Sequence, residues 1–425
     1  MNINQKRRAL LKSIGAGGAL AALGACASMG GSSKSLGRVV VVGGGYGGAT
    51  AAKYLRVWSE GTIEVTLIER NAQFVSCPMS NLVIGGSKSL ADITRGYDGL
   101  RALGVKVLTD EVTAIDPVGK TVRTASGQSL PYDRVVISPG VDFLFDQVKG
   151  LDAAARERFP HAWKAGPQTA LLRRQLEAMA DGGVVAISIP KVPYRCPPGP
   201  YERACQVAWY LKNHKPKSKV LILDANEDVQ SKKGLFMKAW NNDYKGMVEY
   251  RNNWQLTELE GSTAVSEFGD KVSASVLNLI PPMRAGDIAK QVGAINVNNR
   301  WCDVDWITME SKAVPGVHVL GDALLAAPAM PKSGHMANQH GKTAAAAIVE
   351  LLNGRQPAPM MMANTCYSYI DDKQVVHVSS VHHYDVTKKT MVSVAGAGGL
   401  SAEQNVLEGT YAWSWAQTIW ADMLT

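Results

Sequence analysis

A chain of 425 residues, 46% of them hydrophobic, has apolar side chains enough for a large core and more than one domain, and its 41 glycines with ordinary aromatic content read as an α/β enzyme, not a fibrous or disordered chain. The formal charge of +8 is inflated by Lys6, Arg7, Arg8 and Lys12, which lie in an acid-free leader over residues 1–26, so the remainder is only mildly basic. No basic run with interleaved aromatics occurs, which excludes nucleic acid as an expected partner.

Lys6-Arg7-Arg8-Ala9-Leu10-Leu11-Lys12, followed by the weakly apolar stretch Ser13–Ala25, reads as a twin-arginine export signal leading to the periplasm. An ordinary secretory signal is the alternative. The apolar stretch is too short and too poor in large side chains to span a bilayer. Leu23-Gly24-Ala25-Cys26 matches a lipobox, which would lipidate Cys26 and tether the protein to a membrane. Ala25-Cys26-Ala27 matches a plain cleavage site equally well.

The β-branched run Arg38–Val42 predicts a buried parallel strand. Gly43-Gly44-Gly45-Tyr46-Gly47-Gly48 follows, then a predicted helix from Ala49 to about Trp58 and a second strand over Ile63–Glu69. This is a βαβ unit carrying G-x-G-x-x-G at Gly43, Gly45 and Gly48, with the acid Glu69 about 20 residues beyond the last glycine, as a dinucleotide fingerprint requires. Gly43 permits the tight turn, Gly45 lets backbone approach a pyrophosphate, and Gly48 lets helix and strand pack closely. Glu69 would accept hydrogen bonds from the adenosine ribose.

Further strands are predicted over Tyr132–Gly140, Val184–Ile189, Lys219–Asp224 and Val317–Asp322, and a helix over about Ala337–Leu352. The late pair Gly321-Asp322 resembles the Gly-Asp pair with which two-dinucleotide-domain flavoproteins bind the ribitol of FAD, and Tyr132–Gly140 resembles their intermediate motif. In that order the three pieces favour FAD over NAD. The strand Val184–Ile189 is followed not by a second glycine fingerprint but by Pro190–Pro200, a stretch rich in prolines, which lack N–H donors and cannot cradle a pyrophosphate. NAD(P)H is therefore not an expected partner. Pro331-Lys332-Ser333-Gly334-His335 precedes the long helix, whose start would aim N–H groups at the flavin, with Lys332 adding charge.

The fold class expected is α/β: two Rossmann-like domains of glutathione reductase type and a β-rich C-terminal interface domain. The divisions are an export signal and linker over 1–37, an FAD-binding domain over 38–148 and 276–355, a second Rossmann-like domain over 149–275, and the interface domain over 356–425 with a Trp-rich tail.

Six cysteines occur: Cys26, Cys77, Cys196, Cys205, Cys302 and Cys366. With Cys26 assigned to the signal, an odd number remains. Cys196-Pro197-Pro198-Gly199-Pro200-Tyr201-Glu202-Arg203-Ala204 and Asn364-Thr365-Cys366-Tyr367-Ser368 resemble the flavoprotein chain of flavocytochrome c sulfide dehydrogenase. So do Gly47–Tyr54, His161–Gly166, Asn278–Pro282 and Pro331–Gly334. The resemblance runs from about Arg38 to the C-terminus, and sulfide:quinone reductases are more distant.

This resemblance implies that Cys196 and Cys366 form a redox disulfide beside FAD. Hydrosulfide, a soft nucleophile, would open it by exchange, and the freed thiolate would reduce the flavin. It also implies a covalent bond from Cys77, within Gln73–Asn81, to the flavin. Glu202 is a candidate proton carrier, or else a solvated acid at a helix start. Cys205 and Cys302 read as core thiols or as a pair with each other. The histidines show no ligand spacing with cysteines, so no metal site is expected. With no C-x-x-C-H in the chain, haem would sit on a partner, a c-type cytochrome subunit. Two other readings remain at this level: a sulfide:quinone reductase, kept open by the aromatic stretch Tyr411–Trp420, and an accessory flavoprotein of a sulfur-oxidation complex.

Overall fold

The computed structural model describes residues 35–425. The twin-arginine stretch and Cys26 lie outside the described residues.

The first half is a five-stranded parallel sheet. Its strands are β1 (Gly37–Val42), β2 (Ile63–Glu69), β3 (Lys106–Thr109), β4 (Arg134–Ile137) and β9 (Val317–Val319), in the spatial order β9-β4-β1-β2-β3. Four consecutive buried valines make β1 the central strand, apolar on both faces because both faces are covered. Helix α1 (Tyr46–Trp58) begins three residues earlier than the pattern predicts. Gly47 and Gly48 are helical because packing overrides their low propensity: a Cβ on Gly341, in helix α4 (Gly334–Leu352), would lie 2.5 Å from the Gly47 carbonyl oxygen. The two helices cross at this small-residue contact, where Asn338 Nδ2 also donates to Thr50 Oγ1 at 2.9 Å.

The second half is a four-stranded parallel sheet of β5 (Val184–Ile189), β6 (Lys219–Asp224), β7 (Val248–Arg251) and β8 (Val276–Leu279), in the order β7-β6-β5-β8. The FAD-binding division was expected to resume at residue 276. Instead Val276–Leu279 pairs with Val185–Ser188, so the chain returns to the first half only after Leu279. The four residues of β8 are all buried, and β5 offers a free edge that satisfies their backbone groups. Helix α3 (Gly199–His214) packs beside this sheet.

The C-terminal part is an antiparallel meander of β10 (Met362–Tyr369), β11 (Val375–Asp385) and β12 (Thr390–Leu400). The Trp-rich tail is a helix, α5 (Val406–Leu424), capped by Asn405, whose side chain accepts from Glu408 N. It leans on the first half: Trp420 Nε1 donates to the Tyr46 hydroxyl at 3.1 Å, and the Arg95 guanidinium lies 4.3 Å from the Trp420 ring centre. No helix among the described residues is long and apolar enough to cross a membrane.

Candidate active site

A cavity of about 360 Å³ opens where the first half, the loop before α3, the start of α4 and strand β10 converge. Its first wall is the turn after β1. Gly43 has φ +96°, and a Cβ there would stand 2.5 Å from the Ser138 carbonyl oxygen. A Cβ on Gly48 would overlap the Gly43 carbonyl oxygen, whereas one on Gly45 meets nothing within 4 Å. Two of the three glycines are therefore demanded by the protein's own packing, while the space beside Gly45 is left for a ligand. Glu69 sits opposite. Its Oε2 accepts from Gly44 N at 2.7 Å, and its Oε1 accepts from Asn71 N and Nδ2 at 2.9 and 2.7 Å.

Gly321 and Asp322, one residue beyond β9, also line the cavity. Asp322 Oδ1 is shut off from solvent with no hydrogen-bond partner, and burial raises its carboxyl above the usual range. An orphaned buried acceptor on a cavity wall suits a hydroxyl-rich ligand such as a ribityl chain. Ser333 caps α4 by accepting from Met336 N at 3.0 Å, and Gly334 and His335 at the start of that helix line the cavity. The fit to a dinucleotide cofactor is thus complete from fingerprint to helix start. Lys332 does not join it. Its ammonium donates to the carbonyls of Asp322 (3.1 Å) and Leu324 and lies 3.7 Å from the Trp301 ring centre. Burial lowers it to about 7. Its work is to brace the Asp322 turn, because the cation finds carbonyls and an aromatic face there and no route into the cavity.

Cys77, Cys196 and Cys366 all line the cavity. They come from the loop before the short helix α2 (Ser80–Gly85) in the first half, the proline-rich loop of the second half, and β10. All five described cysteines are thiols, so Cys196 and Cys366 stand here as a dithiol. Burial pushes Cys196 up to about 12, with the neighbouring Cys366 adding to the rise; burial also raises Cys366, while Lys232 and Asn364 oppose it. Asn364 Nδ2 donates to Cys366 Sγ at 3.3 Å. The Cys196 sulfur sits against Gly199, the first residue of α3, where a Cβ would come within 2.9 Å of it. Cys205 and Cys302 lie fully buried in separate hydrophobic cores and are not a pair.

Glu202 is buried, not a solvated helix-start acid. Its Oε1 accepts from Tyr369 N and its Oε2 from Asn81 Nδ2, each at 3.0 Å, and burial raises its carboxyl. Its side chain therefore reaches both the strand of Cys366 and the wall of the cavity.

Three residues complete the site without a sequence signal of their own. Arg195 lines the cavity and faces Cys77, Asp322 and Cys196, donating to Trp163 O. Arg203 is buried and fully used, donating to Asn81 Oδ1 (3.0 Å), His161 O (2.8 Å), Asn278 Oδ1 (2.9 Å) and Ala162 O (2.7 Å). Asn81 links that guanidinium to Glu202. The quoted stretches His161–Gly166, Asn278–Pro282 and Tyr201–Ala204 meet at Arg203, which is the one trace these contacts leave in the sequence. Among the described residues no group of three or more His, Cys, Asp or Glu is placed to hold a metal.

Residues 169–281 match the family model for the central part of the sulfide dehydrogenase [flavocytochrome c] flavoprotein chain, and residues 357–424 match the flavocytochrome c sulphide dehydrogenase flavin-binding model. Residues 37–168 match the pyridine nucleotide-disulphide oxidoreductase model. The chain is 61% identical over 46 residues to the sulfide dehydrogenase [flavocytochrome c] flavoprotein chain of Chlorobaculum thiosulfatiphilum, covering 94% of that sequence and 11% of this one. It is 26% identical over 306 residues to the mitochondrial sulfide:quinone oxidoreductase of Mus musculus, 67% of this chain, and spans 65% of that relative's length. It is similar in structure to the sulfide:quinone oxidoreductase of Aquifex aeolicus, with a TM-score of 0.74 at 18% identity and 91% of each chain covered, which shows the shared fold.

Proposed function

The chain belongs to the flavoprotein family of flavocytochrome c sulfide dehydrogenase, and from that premise we propose that it is an FAD-dependent sulfide dehydrogenase that passes electrons to a c-type cytochrome subunit. One observation carries the reading: two cysteines from distant parts of the chain, Cys196 and Cys366, reach one cavity that is also lined by a dinucleotide fingerprint and by Asp322 with its orphaned Oδ1.

Gly43, Gly45 and Gly48 would hold the pyrophosphate, Glu69 the adenosine ribose, Asp322 the ribitol, and the first N–H groups of α4 the pyrimidine edge. Cys77 would bind the cofactor covalently. Its sulfur lies on the cavity wall, where Ala165 N–H points at it from 3.4 Å and Arg195 faces it. When bound, FAD supplies an acceptor for two electrons that can be released one at a time to a haem.

The protein's own sulfur chemistry starts from the oxidised pair. Hydrosulfide attacks one sulfur, forming a new S–S bond and breaking the Cys196–Cys366 bond, so that one cysteine becomes a persulfide and the other a thiolate. Glu202, held out of water with a raised carboxyl, would give or take a proton at this pair. The prolines of the loop before α3 lack N–H donors and would not cradle the pyrophosphate of a nicotinamide dinucleotide.

A quinone acceptor is the second reading. It draws on the likeness to sulfide:quinone oxidoreductases and on Val406, Leu407 and Tyr411, which expose 56%, 61% and 51% of their surface on the first turns of α5. Anaerobic titration of the purified protein with sulfide, following the flavin spectrum and then offering cytochrome c or a quinone, tests the proposal. Bleaching by sulfide, reoxidation by cytochrome c and no bleaching by NADH are expected. A flavin indifferent to sulfide overturns the proposal, and reoxidation by quinone alone transfers it to the second reading.

A further inference from the structure

Behind the cysteine pair, outside the cavity, lies Lys232. It is 5% exposed and occupies the cap position of the helix Lys233–Asn242, with φ +55°, a left-handed conformation that lysine rarely adopts. From there its ammonium crosses into the C-terminal meander. It donates to Cys366 O at 2.8 Å, Ser368 Oγ at 2.8 Å and Val376 O at 3.4 Å. These acceptors satisfy its hydrogens but are all neutral, and no carboxylate among the described residues stands within ion-pair distance of it. A buried cation without a counter-ion is expensive to keep. A purely mechanical bolt between the second half and β10 would not need the charge.

The charge has a specific audience. The titratable groups facing Lys232 are Cys366 on β10, Glu202 on α3, Cys196 on the loop before α3, and Glu408 on α5. Glu408 is already engaged by Ser401 Oγ and by His377, and Glu202 by Tyr369 N and Asn81. Cys366 is the one of the four whose own residue Lys232 touches, through its carbonyl. Burial lowers Lys232 to about 8, and the acidic groups around it, Cys366 first, oppose the fall.

We propose that Lys232 is a positioning residue for the sulfur pair: it fixes the backbone of Cys366 and supplies the counter-charge for the thiolate left when the Cys196–Cys366 disulfide opens. This rests on the reading of that pair as the redox disulfide. In the opening step one negative charge arrives with hydrosulfide and one remains on a cysteine sulfur, and no electron leaves the three sulfurs. The step therefore creates a persistent anion in a low-dielectric wall, where a nearby fixed cation acts more strongly than in water.

The test is thiolate titration in the holoprotein. Oxidised and reduced wild type, Lys232→Gln, Lys232→Met and Lys232→Arg are pulsed with iodoacetamide across the thiol pH range, and the Cys196 and Cys366 peptides are quantified by mass spectrometry, with circular dichroism as the check on folding. In Lys232→Gln and Lys232→Met the midpoint for Cys366 should rise by about one pH unit or more, while Lys232→Arg, which keeps the charge, should match wild type. If the Met variant does not fold, the Gln and Arg variants decide the matter. Equal midpoints in all variants overturn the role of Lys232 and leave the disulfide standing; so does a Gln variant that titrates like wild type, because hydrogen bonding would then suffice. If both cysteines of the oxidised wild type remain open to alkylation, the disulfide reading itself falls, and this inference with it.

Discussion

Glu202 Oε1 accepts the backbone N–H of Tyr369 at 3.0 Å, tying a buried carboxylate on α3 to the strand that carries Cys366 three residues away. The acid and the cysteine strand are thereby fixed to each other across two parts of the chain. Glu202→Gln keeps the shape but not the proton. Sulfide-dependent flavin reduction is expected to fall by about 100-fold or more, with flavin content unchanged. Stopped-flow reduction at several pH values should also show one limb of the profile lost. Normal rates would remove Glu202 from the mechanism.

The same carboxyl makes a prediction about stability. Burial raises it above the ordinary range, so the folded protein holds that proton more tightly than the unfolded chain does. Its ionisation therefore costs stability that is absent below about pH 4.3, the unfolded value, and is imposed as pH rises through the raised folded value. The melting temperature of Glu202→Gln relative to wild type should thus be more favourable at pH 8 than at pH 5. A difference that shrinks or reverses with rising pH would show that the carboxylate is stabilised by its two hydrogen bonds after all.

The fingerprint glycines separate packing from binding. Gly48→Ala drives a Cβ into the Gly43 carbonyl oxygen, and about 1–3 kcal/mol or more of stability should be lost. Gly45→Ala meets no protein atom within 4 Å, so the protein should fold with an unchanged melting temperature in the absence of cofactor and yet retain little FAD after desalting. If Gly45→Ala keeps full flavin, the pyrophosphate does not lie against that turn.

These positions show what the sequence made visible. The valine run of β1, the glycine spacing and the Gly321-Asp322 pair are local signals, set by sheet burial and by backbone conformation, and the predicted strands β1, β2, β5 and β6 match the observed ones closely. What failed was non-local. The boundary set at residue 276 falls short because Val276–Leu279 pairs with the open edge of β5, a contact between segments far apart in the chain. The Trp-rich tail carries no β alternation, and its helical form follows from burying Ala412, Ala416, Ile419 and Trp420 against neighbours far away in sequence. Arg195, Arg203 and Lys232 carry no motif of their own in the sequence, and Lys232 is one of an ordinary pair with Lys233; their importance comes from burial, which the sequence does not display. Lys332 shows the converse, a cation beside a recognisable motif whose side chain turns to carbonyls instead of the cavity.

Asp322 offers a sharper test of cofactor contact than the glycines. Its Oδ1 is buried and unpartnered, and burial outweighs the pull of Arg195 and Lys332 on the carboxyl, so the protein without flavin keeps this group at a net cost. Asp322→Ala should therefore melt at or above the wild-type temperature when flavin is absent, while the stabilisation produced by added FAD should drop by about 1–3 kcal/mol. Thermal melts with and without FAD read both quantities. A variant that loses stability without flavin and keeps the FAD-induced gain would place Asp322 in the scaffold and not in the site.

Cys77 decides whether the cofactor is bound by a bond or only by contacts. Its sulfur is on the cavity wall, met by Ala165 N–H at 3.4 Å and faced by the Arg195 guanidinium. Wild-type protein precipitated with acid should stay yellow, and proteolysis should leave the chromophore on the peptide containing Gln73–Asn81. Cys77→Ser should bind FAD through the fingerprint, Asp322 and the start of α4, yet release it on denaturation. Because the redox cysteines are untouched in that variant, sulfide should still reduce its flavin, at a rate changed by the altered potential and not abolished. Free FAD in the acid supernatant of the wild type would refute the covalent bond and leave the dithiol chemistry intact.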